Sequence, residues 1–231
     1  MGYRFARLLI MLFIRAIARV RVTGIENVPS SGAYITASNH IGRLEVPLVY
    51  YLLNRNDILL LVAEKYRDNA FFSWFVRALD AIWIDRYNAD FGAMRATLTR
   101  LKQGWVVVLA PEGTRSATGK LDKGRPGTSF LAEKSGAPVV PVAVSGTYDP
   151  EVLARLRRLR RLDITVRIGK PITFPPVKGE GRDAALEAYT DEIMCQIAAL
   201  IPPHNRGIYT DHPRVAELIS QTSPVGRVKK I

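Results

Sequence analysis

The sequence holds a single cysteine, Cys195, and three histidines, His40, His204 and His212. One cysteine excludes an internal disulfide and any cysteine-built metal cluster. The histidines show no metal-ligand spacing such as H-E-x-x-H, so no metal is expected. Cys195 falls inside an apolar-periodic helix and reads as core, whereas His204 and His212 read as surface residues. A G-x-x-x-x-G-K-[ST] loop is missing, and Gly113, Gly119 and Gly124 do not form a dinucleotide fingerprint. There is no G-x-S-x-G, so a nucleophile elbow carrying an acyl-enzyme is unsupported. The run from Leu8 to Ile14 is shorter than the roughly 20 residues needed to cross a bilayer, and no small-residue cleavage site follows it.

Acidic residues are scarce: 21 Asp and Glu stand against 33 Lys and Arg, for a net charge of +12. This excess favours an anionic partner, whether nucleic acid, an anionic membrane surface or a phosphorylated substrate. No helix-turn-helix, RNP or zinc-finger signature supports nucleic acid. At 48% hydrophobic and 23% charged, the 231 residues describe a folded chain with a sizeable core.

Strand-like and helix-like segments alternate along the chain. Residues 1–20 carry Arg4, Arg7, Arg15 and Arg19 within an arc of roughly 120° on a helical wheel, with Phe5, Leu9, Ile10, Leu12, Phe13, Ile14 and Ile17 on the other faces. This pattern predicts an amphipathic helix that lies in an anionic membrane interface. Residues 19–23 alternate as a half-exposed strand. Strands are expected at 33–37, 57–63, 81–84, 105–109, 138–144 and 163–168, and helices at 45–54, 71–79, 91–102, 128–135 and 183–201. The expected fold is α/β, a mostly parallel central sheet flanked by helices with the amphipathic helix in front. Residues 21–201 form the main domain, and residues 202–231 a tail that packs on or extends it. The arginines at 155, 157, 158, 160 and 161 read either as a solvated face or as a surface for membrane or an acidic partner.

Several predicted strands end in chemically capable residues: His40 with Glu45, Arg86, Glu112 with Arg115, and Ser145. Sites in open α/β sheets form at the carboxyl ends of strands. His40 and Glu45 sit five positions apart where a strand hands over to a helix. A histidine titrates near neutrality, and a carboxylate on its second nitrogen fixes the tautomer. His40 is therefore the candidate catalytic base and Glu45 its orienter, with a substrate hydroxyl as direct nucleophile. In the stretch 111–116, Gly113 permits close ligand approach, Arg115 offers a planar fork for phosphate, and Thr114 and Ser116 add hydroxyls. Lys123 and Arg125 are candidates to extend the phosphate site.

Four ordered blocks resemble the glycerolipid acyltransferase family that includes the 1-acylglycerol-3-phosphate acyltransferases. Asn39-His40 through Glu45 resembles its His-x4-Asp block, Ile84-Asp85-Arg86 its second, Pro111 to Ser116 its third, and Val139-Val140-Pro141-Val142 its fourth. The resemblance implies acyl transfer from acyl-CoA or acyl-ACP to the sn-2 hydroxyl of 1-acylglycerol-3-phosphate, without a further cofactor. It implies that Arg86 and Arg115 hold the acceptor phosphate, that Glu112, Gly113 and Ser116 shape its pocket, and that the enzyme is peripheral on the cytoplasmic face of a membrane. The first-block acid departs from the family: Glu45 stands where it has Asp. That leaves another lysophospholipid or a glycolipid hydroxyl as the alternative acceptor.

Overall fold

The computed structural model describes residues 2–88, 90–221 and 229–230. Among the described residues, eight strands form one sheet in the order β4-β3-β5-β2-β6-β7-β1-β8. The parallel body comprises β2 (Tyr34–Ser38), β3 (Ile58–Ala63), β4 (Ile82–Ile84), β5 (Val106–Leu109) and β6 (Val139–Ser145). Apolar runs such as Ile58 to Val62 are continuous because a parallel sheet is covered on both faces. β7 (Leu162–Ile168) lies antiparallel to β6, β1 (Ala18–Thr23) parallel to β7, and the two residues of β8 (Lys229–Lys230) antiparallel to β1.

Two apolar layers sandwich the sheet. On one face α1 (Gly2–Ile17), α2 (Glu45–Leu52) and α6 (Asp149–Arg157) pack Ile14, Leu48, Tyr50, Val152 and Leu156 against Tyr34, Val106 and Val140. On the other, α4 (Phe91–Lys102), α5 (Gly127–Ser135), α7 (Arg182–Leu200) and α8 (Pro213–Gln221) pack Leu101, Leu131, Ile193 and Val215 against Ile35, Val107 and Val139. Neighbouring residues of one strand, such as Tyr34 and Ile35, thus serve opposite cores, as the period of two demands. On β1, Val20 and Val22 are buried while Arg19 and Arg21 are exposed. The aromatic-rich helix α3 (Ala70–Ala78) precedes β4.

Strand direction decides where the site lies. β2 to β6 all end on one edge. Because β7 opposes β6, with Val142 beside Ile168 and Ser145 beside Thr165, β7 begins on that same edge. β1 runs with β7, Ala18 beside Leu162, so the end of α1 lies there too.

The structure amends three expectations. The N-terminal helix stops at Ile17 rather than near residue 20, since residues 18–20 pair with β7. Arg7 is turned inward: its Nε donates to the Tyr50 carbonyl at 3.2 Å and its Nη1 to Asn54 Oδ1 at 2.7 Å. It fastens α1 to α2 rather than joining a free cationic rim. His204 is exposed, but His212 is half-buried, with Nε2 3.3 Å from Asp191 and Nδ1 3.4 Å from the Cys195 sulfur. Cys195 is core, its thiol pushed up to about 12 by burial. The tail beyond residue 201 packs on the domain through α8, where Arg214 pairs with Glu192 of α7 at 2.8 Å.

Candidate active site

β2 ends at Ser38, and the chain turns through Asn39, which anchors the turn. Its buried amide donates to the Val144 carbonyl at 2.9 Å and accepts from the Val144 N–H at 2.8 Å, locking the turn to β6. His40 follows. Its Nδ1 lies 2.5 Å from Glu45 Oε2, and its side chain is 17% exposed. Nε2 has no hydrogen-bond partner among the described residues.

Glu45 opens α2 and is buried. Its Oε1 accepts from the Ile41 N–H at 3.0 Å, the Gly42 N–H at 2.8 Å and the Thr147 hydroxyl at 2.9 Å. Four donors therefore converge on one carboxylate at a helix N-terminus, where the helix dipole also favours negative charge. The extra methylene of Glu relative to Asp is absorbed by seating the carboxylate on the Ile41 and Gly42 amides. Gly42 is required by close approach, for a Cβ there would stand 1.8 Å from the Thr147 carbonyl oxygen.

Glu112 clasps the site from below β5. Its buried carboxylate accepts from the His40 N–H at 2.9 Å and from the Asp122 N–H at 3.0 Å. Burial pushes its pKa up to about 7, against the opposing pull of those two backbone donors. The Ser116 N–H donates to the His40 carbonyl at 2.8 Å, so the stretch 112–116 holds both backbone groups of the histidine. Gly113 has φ +73°, and a Cβ there would press on the Arg125 side chain at 3.0 Å.

Three arginines gather beside this pair. Arg86, just beyond β4, is half-buried and pairs with no carboxylate among the described residues. Burial holds its pKa below the usual arginine value; Arg115 and Arg125 add to the effect and Tyr66 opposes it. A partly desolvated guanidinium beside two other cations, with no carboxylate partner among the described residues, has the chemistry to attract an anion. Arg125 reaches over to donate to the Arg86 carbonyl at 2.7 Å. Arg115 is already occupied: its Nη1 donates to Asp149 Oδ2 at 2.7 Å and its Nη2 to the Tyr66 hydroxyl at 3.4 Å. Asp149 Oδ1 also accepts from the Arg43 N–H at 2.9 Å, joining the first and third blocks through α6.

Of the residues expected at the site, His40, Glu45, Arg86, Glu112, Gly113, Arg115, Ser116 and Arg125 form one connected cluster. Thr114 is exposed, and Lys123 is exposed with no side-chain partner among the described residues, so the structure does not draw either into it. Ser145 ends β6 and pairs with Thr165 instead of reaching the histidine. Thr147, two residues on, is the hydroxyl that reaches the site, donating to Glu45. Thr147 and Asp149 were missed because they act on Glu45 and Arg115 from more than thirty positions away. The one signal they gave was their place just beyond a buried strand.

Fold and site together define an α/β domain with a histidine–carboxylate pair and a cluster of arginines at the carboxyl edge of a mostly parallel sheet. Residues 19–145 match the family described as Acyltransferase. The chain belongs to that family. Among its relatives, a chloroplastic 1-acyl-sn-glycerol-3-phosphate acyltransferase of Brassica napus is 26% identical over 176 residues, covering 72% of this chain and 49% of that one. The Bacillus subtilis enzyme of that name is 23% identical over 74% of this chain and 82% of its own. The Pseudomonas aeruginosa enzyme is 31% identical over 59% of this chain and 54% of its own. The chain thus spans about half the length of the Brassica and Pseudomonas relatives and most of the Bacillus one. The solved structure of the Thermotoga maritima 1-acyl-sn-glycerophosphate acyltransferase PlsC shares the fold, with a TM-score of 0.59 at 24% identity over 82% of this chain and 77% of that one.

Proposed function

We propose that this protein transfers an acyl group from acyl-CoA or acyl-ACP to the sn-2 hydroxyl of 1-acylglycerol-3-phosphate, giving phosphatidic acid. The observation that carries the reading is the pairing of a carboxylate-held histidine with an unpartnered arginine, Arg86, on one edge of the sheet. The names of the relatives supply the acceptor.

Glu45 holds Nδ1–H of His40, which leaves Nε2 as the acceptor facing the cleft. Nε2 takes the proton of the sn-2 hydroxyl as its oxygen bonds to the thioester carbonyl carbon. The imidazolium so formed is stabilised by Glu45. Collapse of the tetrahedral intermediate breaks the C–S bond, and Nε2–H returns its proton to the departing thiolate. Arg86, with Arg115 beside it, binds the acceptor phosphate and fixes the hydroxyl near Nε2. Glu112, Gly113 and Ser116 hold the loop that carries His40 and border the phosphate, and Arg125 stands beside Arg86.

The protein works as a peripheral enzyme on the cytoplasmic face of an anionic membrane, held by residues 1–20. Support comes from α1, which turns Phe5, Leu8, Leu9, Leu12 and Phe13 to solvent. No helix among the described residues is long and apolar enough to cross a membrane. The test is an assay of purified protein against a panel of lysophospholipids and glycolipids with each acyl thioester. Phosphatidic acid should form, and His40→Ala should abolish it with the fold intact. Retained turnover in that variant rules the mechanism out.

A further inference from the structure

The acyl-transfer site leaves unused the turn between α6 and β7. Leu159 at its tip is 96% exposed, with a left-handed φ of +52°. Arg157, Arg158, Arg160 and Arg161 flank it, all exposed. Arg155 pairs with Asp163 at 2.7 Å, but Arg157, Arg158 and Arg160 have no carboxylate partner among the described residues. Arg161 donates to the carbonyls of Arg15 and Ala18, the latter at 2.7 Å, and so ties the turn to the end of α1.

Strand register sets the position of this turn. β7 begins on the edge where β2 and β6 end, so the turn stands on the edge that carries His40. The exposed apolar residues of α1 belong to the neighbouring helix, on the same face of the sheet as α6.

We propose that the α6–β7 turn is a second membrane contact, which binds an anionic phospholipid bilayer. Leu159 enters the headgroup region, and Arg157, Arg158 and Arg160 engage lipid phosphates. Together with α1 it turns the catalytic edge toward the surface from which a lysolipid acceptor is drawn. Charge selects an anionic partner, and the leucine among the arginines selects a bilayer over a nucleic acid: an inserted apolar side chain gains nothing from a polyphosphate backbone. The inference deepens the membrane residence proposed above, and its test reads binding rather than turnover.

The experiment uses the whole chain with vesicles of phosphatidylcholine, alone or mixed with phosphatidylglycerol. Each arginine near an anionic surface contributes about fivefold to partition, so the triple variant R157Q/R158Q/R160Q should lose about a hundredfold on mixed vesicles. Its turnover of detergent-dispersed substrate should stay at the parent value, which also shows that it folds. Leu159→Cys, labelled with an environment-sensitive dye, should shift its emission to the blue on mixed vesicles; the native Cys195 is buried and does not compete. Undiminished partition of the triple variant overturns the proposal. So does a label that stays in water on bound protein, or preferential binding of duplex DNA through the same arginines. Loss of turnover in His40→Ala bears on the catalytic reading alone.

Discussion

The Thr147 hydroxyl donates to Oε1 of Glu45 at 2.9 Å, across 102 positions of chain. It is a buried contact between the loop after β6 and the first turn of α2, and it ties the carboxylate behind His40 to that loop. Thr147→Val removes this donor while keeping shape. Loss of one buried hydrogen bond to a charged group is worth about 1.5–3 kcal/mol. The expected result is a kcat about tenfold lower with the acceptor KM nearly unchanged, and recovery in Thr147→Ser. A KM effect without a kcat effect would contradict the positioning role.

Glu45→Asp restores the residue of the family's first block and shortens the side chain by one methylene. Its carboxylate cannot then hold the Ile41 and Gly42 amides and His40 Nδ1 at their present distances without movement of the loop. We expect kcat to fall about tenfold, and further in Glu45→Gln, which cannot stabilise the imidazolium. Steady-state kinetics decide; full activity of the aspartate variant would show that the loop adjusts freely.

Gly42→Ala drives a methyl against the backbone of Thr147, where the ideal Cβ stands 1.8 Å from oxygen and 2.9 Å from the carbonyl carbon. Neither partner is the end of a flexible side chain. Overpacking of this kind costs about 1–3 kcal/mol, read as a lower urea midpoint, and it should also depress kcat by displacing the loop that carries His40.

Glu112 makes stability depend on pH. Its carboxyl titrates near 7 in the folded chain against an ordinary value of 4.5, because burial disfavours the charge. The folded chain therefore binds more protons than the unfolded chain between those values. This contribution is full below 4.5 and is lost as pH rises toward 7, by at most about 3 kcal/mol. Urea unfolding of the parent and Glu112→Gln at pH 5 and pH 8 isolates it. The parent should lose more stability than the variant on going to pH 8. The variant should also turn over at least tenfold more slowly, since an amide in place of the carboxylate cannot accept from both backbone donors.

Arg86→Gln removes a half-buried guanidinium that pairs with no carboxylate among the described residues. A charged hydrogen bond to phosphate is worth about 1.5–3 kcal/mol, so the acceptor KM should rise about 10- to 100-fold with the thioester KM unchanged. Arg115 is held by Asp149, so its replacement should disturb the loop as well and lower kcat together with acceptor affinity. Equal effects of the two substitutions on KM alone would place both in the same simple role.

Much of the fold was legible in the sequence because its local signals are strong. Continuous apolar runs bounded by turns gave β3, β5 and β6, and a helical period closed by a glycine gave α4 almost to the residue. Boundaries slipped where tertiary pairing decides them: in the sequence the helical arc reads through residue 20 and the strand from residue 19, whereas the helix ends at Ile17 and Ala18 already pairs with β7. β7 alternates apolar and polar residues from Leu162 to Ile168, as a strand covered on one face does, but that alternation does not say that it runs against β6.

For the site, the sequence alone determined the chemical parts: a histidine with a carboxylate five positions on, an arginine after β4, and the glutamate–glycine–arginine stretch after β5. Residue type and short spacing suffice for that, since His40 and Glu45 meet within a single chain reversal. Tertiary structure alone decided which cations are free. Arg7 is spent on α2 and Arg115 on Asp149, whereas Arg86 pairs with no carboxylate among the described residues, because each guanidinium takes whichever acceptor the packed chain brings within reach. It also supplied Thr147 and Asp149, and it set the end of α1 and the arginine turn on the edge that carries His40. A one-dimensional pattern records none of these, because the contacts join distant segments and the placement of the turn depends on the direction in which β7 runs.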